Sequence, residues 1–171
     1  MNTYFPTIDD SARLWIWVAQ RPLCESEQVA VTDAVDQFLG DWTSHSRKIR
    51  GASAILLDQV LILAGEIDEG EISGCGIDKS AHLLEEVASR QGFAWSSALD
   101  VPIVDDARGH VVMLDRTELK RRIGNGEVSN GTLIIDRTLT TLGDLRNHGL
   151  KRPAQDSWAA RYFRSHATPA S

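Results

Sequence analysis

Two apolar, β-favouring runs stand only two residues apart near the middle of the chain, and this spacing constrains the fold more than any other feature. The runs are residues 52–57 and 60–64, and the polar pair Asp58 and Gln59 separates them. Two such runs joined by two polar residues are typical of a β-hairpin with a tight turn. The sequence therefore predicts two antiparallel strands at the centre of the fold, with Asp58 and Gln59 in the turn.

Helical patterns flank this hairpin on both sides. Apolar residues recur at spacings of three and four in residues 25–42 and again in residues 78–91, and Gly92 is a typical C-terminal cap for the second helix. Short β-favouring segments at residues 13–19 and 101–104 precede the first helix and follow the second. The resulting order of strand, helix, strand, strand, helix, strand is that of the ferredoxin-like fold.

The chain is long enough, at 171 residues, to build its own core without disulfide or metal support. We predict an α+β protein with a ferredoxin-like βαββαβ core in residues 1–115. Residues 116–171 are predicted to form a C-terminal extension that packs on this core as part of one structural unit. Trp15 and Trp17, two apart on the first strand, point to one sheet face. That face is either covered by the helices or open, and the periodicity does not decide between the two.

Composition and charge exclude several classes of function. The chain has 18 Lys and Arg against 24 Asp and Glu, so its net charge of −6 offers no basic field for nucleic acid. Two cysteines are too few for a disulfide framework, and the N-terminus lacks the layout of a signal peptide, which predicts a cytoplasmic protein. We expect no membrane span and no cofactor. We also expect no metal, because the five histidines and two cysteines lack the spacings of metal ligands.

A glycine-rich turn at residues 73–80 carries the local arrangement with the most plausible chemistry. We predict that a helix begins at Asp78, which places the Cys75 thiol one turn upstream of the helix N-terminus and close to the ammonium of Lys79. Positive potential at a helix N-terminus favours thiolate over thiol. The backbone N–H groups also predict a small anion-binding nest. Its candidate ligand-binding residues are Ser73, Gly74, Gly76, Asp78 and Lys79.

Two interpretations of Cys75 stay open at this point. Free cysteines are often small buried residues, so Cys75 would fill space between the turn and the helix. Alternatively, Cys75 is the nucleophile of a thiol-dependent enzyme, which requires a base within hydrogen-bond reach. The candidate bases are His45, which follows the first helix, and His82, which lies one turn into the second helix.

Arg161 is a candidate ligand-binding residue near the C-terminus. It lies between Trp158 and Tyr162, where a guanidinium can stack on an aromatic ring or bind a carboxylate with two hydrogen bonds. The alternative interpretation is a structural ion pair with Asp156 or with an acidic residue of the body of the protein.

Three segments carry a resemblance to a known group of proteins: Trp42-Thr43-Ser44-His45, Ser73-Gly74-Cys75-Gly76-Ile77-Asp78 and Ser157-Trp158-Ala159-Ala160-Arg161-Tyr162-Phe163. Over roughly residues 4–163 the chain resembles short bacterial proteins often labelled "ABC transporter ATPase" by automated annotation. A P-loop requires GxxxxGK[ST], with the lysine directly after the last glycine. Here two residues intervene between Gly76 and Lys79, so we do not expect an ATPase.

The sequence therefore predicts a non-catalytic accessory protein that binds a small molecule or a protein partner. A homodimer is compatible with this prediction. The alternative is the thiol-dependent enzyme that uses Cys75.

Overall fold

The structure is a computed structural model, and it describes residues 4–164. These residues form five α-helices: α1 (Glu25–Asp41), α2 (Gly74–Gln91), α3 (Arg116–Gly124), α4 (Leu142–His148) and α5 (Ala160–Arg164). The strands within the same residues are β1 (Arg13–Val18), β2 (Thr43–Ser44), β3 (Arg47–Lys48), β4 (Arg50–Leu56), β5 (Val60–Glu66), β6 (Val101–Asp105), β7 (His110–Leu114), β8 (Leu133–Ile135) and β9 (Lys151–Pro153). The predicted α+β class is confirmed. None of the helices in residues 4–164 has the length and apolar character that crossing a membrane requires.

The central hairpin joins β4 and β5 in an antiparallel sheet whose strand order is β1-β5-β4. Leu57 and Asp58 occupy the two central turn positions, each with φ of 54°. Positive φ at both positions is the type I′ turn geometry. The N–H of Gln59 closes the turn by donating a hydrogen bond to the carbonyl of Leu56 at 3.0 Å, so residues 57–59 connect the two strands. The predicted turn residues Asp58 and Gln59 are thus confirmed, with Leu57 added to the turn, and Gln59 is fully buried.

Helices α1 and α2 cover one face of this first sheet, and the tryptophans of β1 point toward them. Trp15 packs against Trp42 at the end of α1, and Trp17 packs against Trp95 after α2, with 5.7 Å between ring centroids in each pair. Both tryptophans of β1 belong to the cluster formed by the buried faces of the helices. The two open alternatives for Trp15 and Trp17 are thus resolved in favour of the helix-covered face.

A second antiparallel sheet has the strand order β7-β6-β8-β9. The ferredoxin-like prediction places the strand after α2 beside β1, but β6 pairs with β7 and β8 instead. Two short segments take the place beside β1, because Ala19 bridges Trp95 at one end and Arg13 bridges Thr141 at the other. The specific ferredoxin-like topology is therefore not confirmed.

The second sheet and α4 cover the other face of the first sheet. Leu14 and Val18 of β1 share a buried cluster with Val104 of β6, Ile135 of β8 and Leu142 of α4. Residues before and after position 115 thus both contribute to the layer on the face that the helices leave free. Strands β6 and β7 precede that position and β8 and β9 follow it, so the proposed boundary falls between strands of one sheet.

A buried glutamine connects the two sheets. The Nε2 group of Gln59 donates a hydrogen bond to the carbonyl of Ala19 at 2.8 Å, and its Oε1 accepts one from the N–H of Val111 on β7 at 3.1 Å. All three residues are buried. Buried amides are retained where their hydrogen bonds are satisfied, so Gln59 fixes how the sheets sit relative to each other.

Arg146 of α4 holds the start of the described chain. Its guanidinium donates hydrogen bonds of 2.8–2.9 Å to the carbonyl oxygens of Tyr4, Phe5 and Ile8. It also forms an ion pair with Asp10. A planar guanidinium presents five donors in a fixed arrangement, which suits one arginine to binding several carbonyl groups.

Candidate functional site

The turn at residues 73–80 differs from the sequence prediction because the helix starts earlier. Helix α2 begins at Gly74, and Ser73 is its N-cap, with a hydroxyl oxygen that accepts a hydrogen bond from the N–H of Gly76 at 3.4 Å. A serine at this position satisfies a free N–H group of the first turn, which explains the early start. Cys75 therefore lies within the first turn, and Asp78 does not cap the helix.

Two contacts from the end of α1 hold this turn in place. The indole N–H of Trp42 donates a hydrogen bond to the carbonyl of Gly76 at 3.0 Å in a buried setting. The hydroxyl of Ser44 accepts a hydrogen bond from the N–H of Ser73 at 2.8 Å and lies 3.0 Å from the Ser73 hydroxyl. The Ser44 contact leaves His45 on the neighbouring turn, where it is exposed with φ of 49°.

Cys75 is exposed, so the interpretation of this residue as a buried space filler is wrong. Neither candidate base makes a hydrogen bond to it within the described residues. His82 is exposed and lies seven residues further along α2, which is about 10 Å along the helix axis. Asp78 and Lys79 are exposed as well. The structure thus gathers an accessible thiol and a helix N-terminus at this turn, but it does not add a base in contact with the thiol.

A different region, next to β1, forms a cleft of about 640 Å³ that includes one of the candidate ligand-binding residues predicted from the sequence, Arg161. We call it the β1 cleft. Its walls are the exposed edge of β1, the loop after α2, the loop after β8 and the segment that leads into α5. The lining residues are Ile16, Trp17, Val18, Ser96, Ala98, Leu99, Arg137, Thr138, Trp158 and Arg161. Its volume is within the range of small-ligand sites.

The floor of the β1 cleft is a stretch of unpaired strand edge. Alternate residues of β1 bond to β5, and the residues between them direct their backbone groups to the other side. On that side, the N–H of Leu14 donates to the carbonyl of Thr140 at 2.9 Å, and the N–H of Ser96 donates to the carbonyl of Val18 at 2.8 Å. Ile16 lies between these bonds. Among residues 4–164 its outward N–H and C=O groups have no hydrogen-bond partner.

Arg137 shapes the wall opposite this edge. Its guanidinium donates to the Ser96 hydroxyl at 3.1 Å and to the carbonyls of Ser97 and Ala98 at 3.0 and 3.2 Å, and it also bonds the carbonyl of Asp100. Burial lowers the pKa of Arg137, and the nearby Asp100 carboxylate opposes this effect. An arginine keeps its charge at any ordinary pH. Arg137 therefore orders residues 96–100 and contributes a positive charge to the cleft.

The preceding residue anchors the Arg137 loop in the core. Asp136 is 1% exposed, and one of its carboxylate oxygens accepts hydrogen bonds from the N–H and hydroxyl of Thr138 at 3.0 and 2.6 Å. The other oxygen accepts a hydrogen bond from Arg152 at 3.1 Å. A buried carboxylate that is paired and fully hydrogen-bonded is a fixed structural element. Asp136, which directly follows β8, thus fixes the position of the neighbouring Arg137.

Arg161 is the second cation of the β1 cleft. Its guanidinium lies 5.0 Å from the ring centroid of Tyr162 and 5.9 Å from that of Trp158, and it donates a hydrogen bond to the Tyr162 hydroxyl at 3.1 Å. The side chain is exposed and forms no ion pair within the described part of the chain, so the alternative pairing with Asp156 is absent there. The aromatic rings hold the charged group and leave it free to accept an anionic partner.

The charge of the β1 cleft is opposite to that of the whole protein. Two guanidinium groups line it, and within residues 4–164 no Asp or Glu is among the lining residues, although the chain carries a net charge of −6. Two further features are apolar: the side chain of Leu99 is 77% exposed, and Trp158 contributes a ring. An anionic ligand with an apolar portion fits these properties.

Sequence reasoning found Arg161 but missed the other parts of the cleft. Arg137 follows the strand residues Ile134 and Ile135 and the buried Asp136. A carboxylate directly after an apolar strand could have indicated that Asp136 fixes the loop that carries Arg137. The free edge at Ile16 had no signal in the sequence, because it depends on which segments pair with β1.

The comparisons with known proteins found no match for this chain among family models, curated sequences or solved structures. Within residues 4–164 no group of three His, Cys, Asp or Glu side chains is placed to hold a metal ion. The β1 cleft and the Cys75 turn are thus the two candidate sites that the geometry of the described residues offers.

Proposed function

We propose that this chain is a non-catalytic binding protein and that the β1 cleft holds a ligand with an anionic group. The observation that carries the proposal is the pair of guanidinium groups, Arg137 and Arg161, in a cleft of about 640 Å³ whose lining among the described residues has no carboxylate. Arginine recognises carboxylate and phosphate groups through two parallel hydrogen bonds. In this proposal Arg161 contacts the ligand, and Arg137 holds the wall and adds charge.

The fold supports this proposal in one respect. We propose that the chain derives from a ferredoxin-like sheet whose fourth strand is shortened to the bridge at Trp95. The strand order β1-β5-β4 and the two helices on one face are consistent with that origin. Shortening the fourth strand vacates the place beside Ile16, and the vacated place is the cleft. The resemblance to proteins labelled ABC transporter ATPases adds no activity, because the P-loop lysine position is not met.

The proposal is tested by thermal unfolding with citrate, succinate and inorganic phosphate at increasing concentrations. A ligand that binds only the native state raises the melting temperature in a concentration-dependent way. We expect such a rise for at least one of these anions, and we expect Arg161→Gln to abolish it. Arg164→Gln, which removes an exposed charge from the same helix, is the matched control. The proposal fails if no anion raises the melting temperature, or if both variants respond like the original chain.

A second candidate function is the thiol-dependent enzyme, and one observation favours it. Cys75 is exposed in the first turn of the 18-residue helix α2, where the partial positive charge of the helix end acts on the thiol. Cys24 is also exposed, but it is the N-cap of α1 and therefore lies at a helix N-terminus as well, so the reference for reactivity is a model thiol such as N-acetylcysteine. Labelling of Cys75 in the Cys24→Ser variant at pH 6 at many times the rate of the model thiol would support the enzyme. Equal rates would remove this support.

A further inference from the structure

We propose that the ligand of the β1 cleft is the C-terminal end of a polypeptide, which adds a short strand to β1 at Ile16. The inference rests on the proposed function, because it identifies the anionic group as a terminal carboxylate. The partner is then a polypeptide, it binds by strand addition, and the backbone of Ile16 contacts it.

The backbone of Ile16 supports a polypeptide over other ligands. Its N–H and C=O groups both point into the cleft in strand geometry and lack partners within residues 4–164. In an antiparallel ladder, one residue exchanges both of its backbone hydrogen bonds with one residue of the neighbouring strand. An extended peptide therefore satisfies both groups of Ile16 at once. A strand that adds to a sheet edge in this way is a recurring mode of peptide recognition.

The length of the free edge limits what can bind. The chain's own segments already pair with β1 at Leu14, through Thr140, and at Val18, through Ser96. The open stretch is therefore the three residues between these two positions, about 10 Å of strand. A long strand that continues in both directions would collide with residues on either side of the gap. A chain end needs room in one direction only, so it fits this edge better than an internal segment.

The charges of the cleft specify which chain end binds. A C-terminal residue presents a carboxylate, whereas an N-terminal residue presents an ammonium group. Arg137 and Arg161 line the cleft, and in the part of the chain that the structure describes no lining carboxylate is present to receive an ammonium. Arg161 has no ion pair within the described residues and is available to the terminal carboxylate. Electrostatics thus favour the C-terminus.

The apolar side chains of the cleft indicate the kind of terminal residue. Leu99 is one of two exposed large hydrophobic residues in the described chain, and it lines the cleft together with Trp158. An apolar side chain of the ligand would remove this surface from water. We therefore expect a C-terminal residue such as Val, Leu, Ile or Phe.

The test uses two pools of N-acetylated tetrapeptides that end in Val, Leu, Ile or Phe and have randomised preceding positions. One pool has a free carboxylate, and its twin is amidated. Binding is measured by titration, with the ¹⁵N–¹H NMR signal of the Ile16 amide as the positional readout. We expect the acid pool to shift this signal and to bind about tenfold or more tightly than the amide pool, because a hydrogen bond to a charged group is lost.

Two pairs of variants separate a binding role from a structural one. We expect Arg161→Gln to remove the preference for the acid pool, and Arg164→Gln to keep it. Ala98→Trp fills the cleft with a large side chain and is expected to abolish binding of both pools. Ala107→Trp makes the same change at an exposed turn outside the cleft and is expected to leave binding unchanged. The NMR spectrum of each variant shows whether it folds.

Each other outcome overturns the inference. Equal affinity for the two pools would exclude a role for the terminal carboxylate. Binding that leaves the Ile16 signal unmoved would exclude strand addition at this edge. If neither pool binds while citrate or phosphate still raises the melting temperature through Arg161, the proposed anion site stands and the polypeptide ligand is wrong. If neither the pools nor the anions bind, both proposals are wrong.

Discussion

Replacing Gln59 by leucine tests whether the two sheets depend on one buried side chain. The change removes a donor to the Ala19 carbonyl and an acceptor for the Val111 N–H, and both backbone groups stay buried. An unsatisfied buried group costs about 1–3 kcal/mol, so the two groups together cost about 2–6 kcal/mol. The extra apolar surface of leucine offsets about 1 kcal/mol. We expect the free energy of unfolding to fall by about 3 kcal/mol.

The assay is urea unfolding followed by tryptophan fluorescence and by far-UV circular dichroism. With an m value of about 2 kcal/mol/M, the expected midpoint shift is about 1.5 M for Gln59→Leu, with m unchanged. Gln20→Leu is the matched control, because Gln20 is exposed and lies next to Ala19. We expect it to change the free energy of unfolding by less than about 0.5 kcal/mol.

Two results would refute this reasoning. If Gln59→Leu lowers the free energy of unfolding no more than Gln20→Leu does, the buried Ala19 carbonyl and Val111 N–H do not need Gln59 for stability. The second result is that fluorescence and circular dichroism give coincident transitions in the original chain but separate ones in the variant. The variant would then have lost the cooperative unfolding of the two sheets, which is more than the free energy of two hydrogen bonds. The expected result is one coincident transition at a lower urea concentration.

Two further changes test other parts of the fold. Hydrogen bonds from Arg21 lower the pKa of Glu27 from 4.5 to about 2, so this pair stabilises the native state above pH 4.5 and loses its effect as the pH falls toward 2. Glu27→Gln should therefore lower the free energy of unfolding by about 2 kcal/mol at pH 7, a value reduced to allow for the half-exposed guanidinium. In urea titrations the loss should become progressively smaller below pH 4.5. A difference in stability that does not change with pH would contradict this prediction. A Cβ at Gly65 would lie 2.7 Å from Cζ3 of the buried Trp42, so Gly65→Ala should cost about 1–3 kcal/mol. Gly40 lies on α1 with open space around it, so Gly40→Ala should raise the free energy of unfolding by about 0.5–1 kcal/mol. Equal melting temperatures for the two glycine variants would show that the predicted clash at Gly65 is absent.

The central hairpin and the helices α1 and α2 could be predicted because their signals are local. The apolar runs on either side of residue 58 and the three-and-four spacing in α1 each depend on neighbours in the sequence. The errors were also local in cause. Helix α2 begins before Asp78 because the Ser73 hydroxyl accepts a hydrogen bond from the N–H of Gly76, whereas the glycines at 74 and 76 resembled a turn.

The second sheet and the β1 cleft could not be predicted because they depend on pairing between distant segments. Strand β8 is three residues long and joins β6 through a single registered pair, Ile103 with Ile134. No periodicity in so short a strand identifies its partner. The free edge at Ile16 exists because β6 joined the second sheet. On the side of β1 away from β5, the described chain then places only residues 94–96 and 140–141. A site made by the absence of a strand has no residue pattern of its own.

The contacts of Arg146 have a consequence for how the protein is made. The carbonyl groups that it binds begin at Tyr4, 142 residues earlier in the chain. At a synthesis rate of 5–20 residues per second, about 7 to 28 seconds pass between the appearance of that segment and of its arginine. During this interval the segment that begins at Tyr4 lacks its contacts with Arg146. Its hydrogen bonds to the guanidinium thus form only after a much later part of the chain has been made.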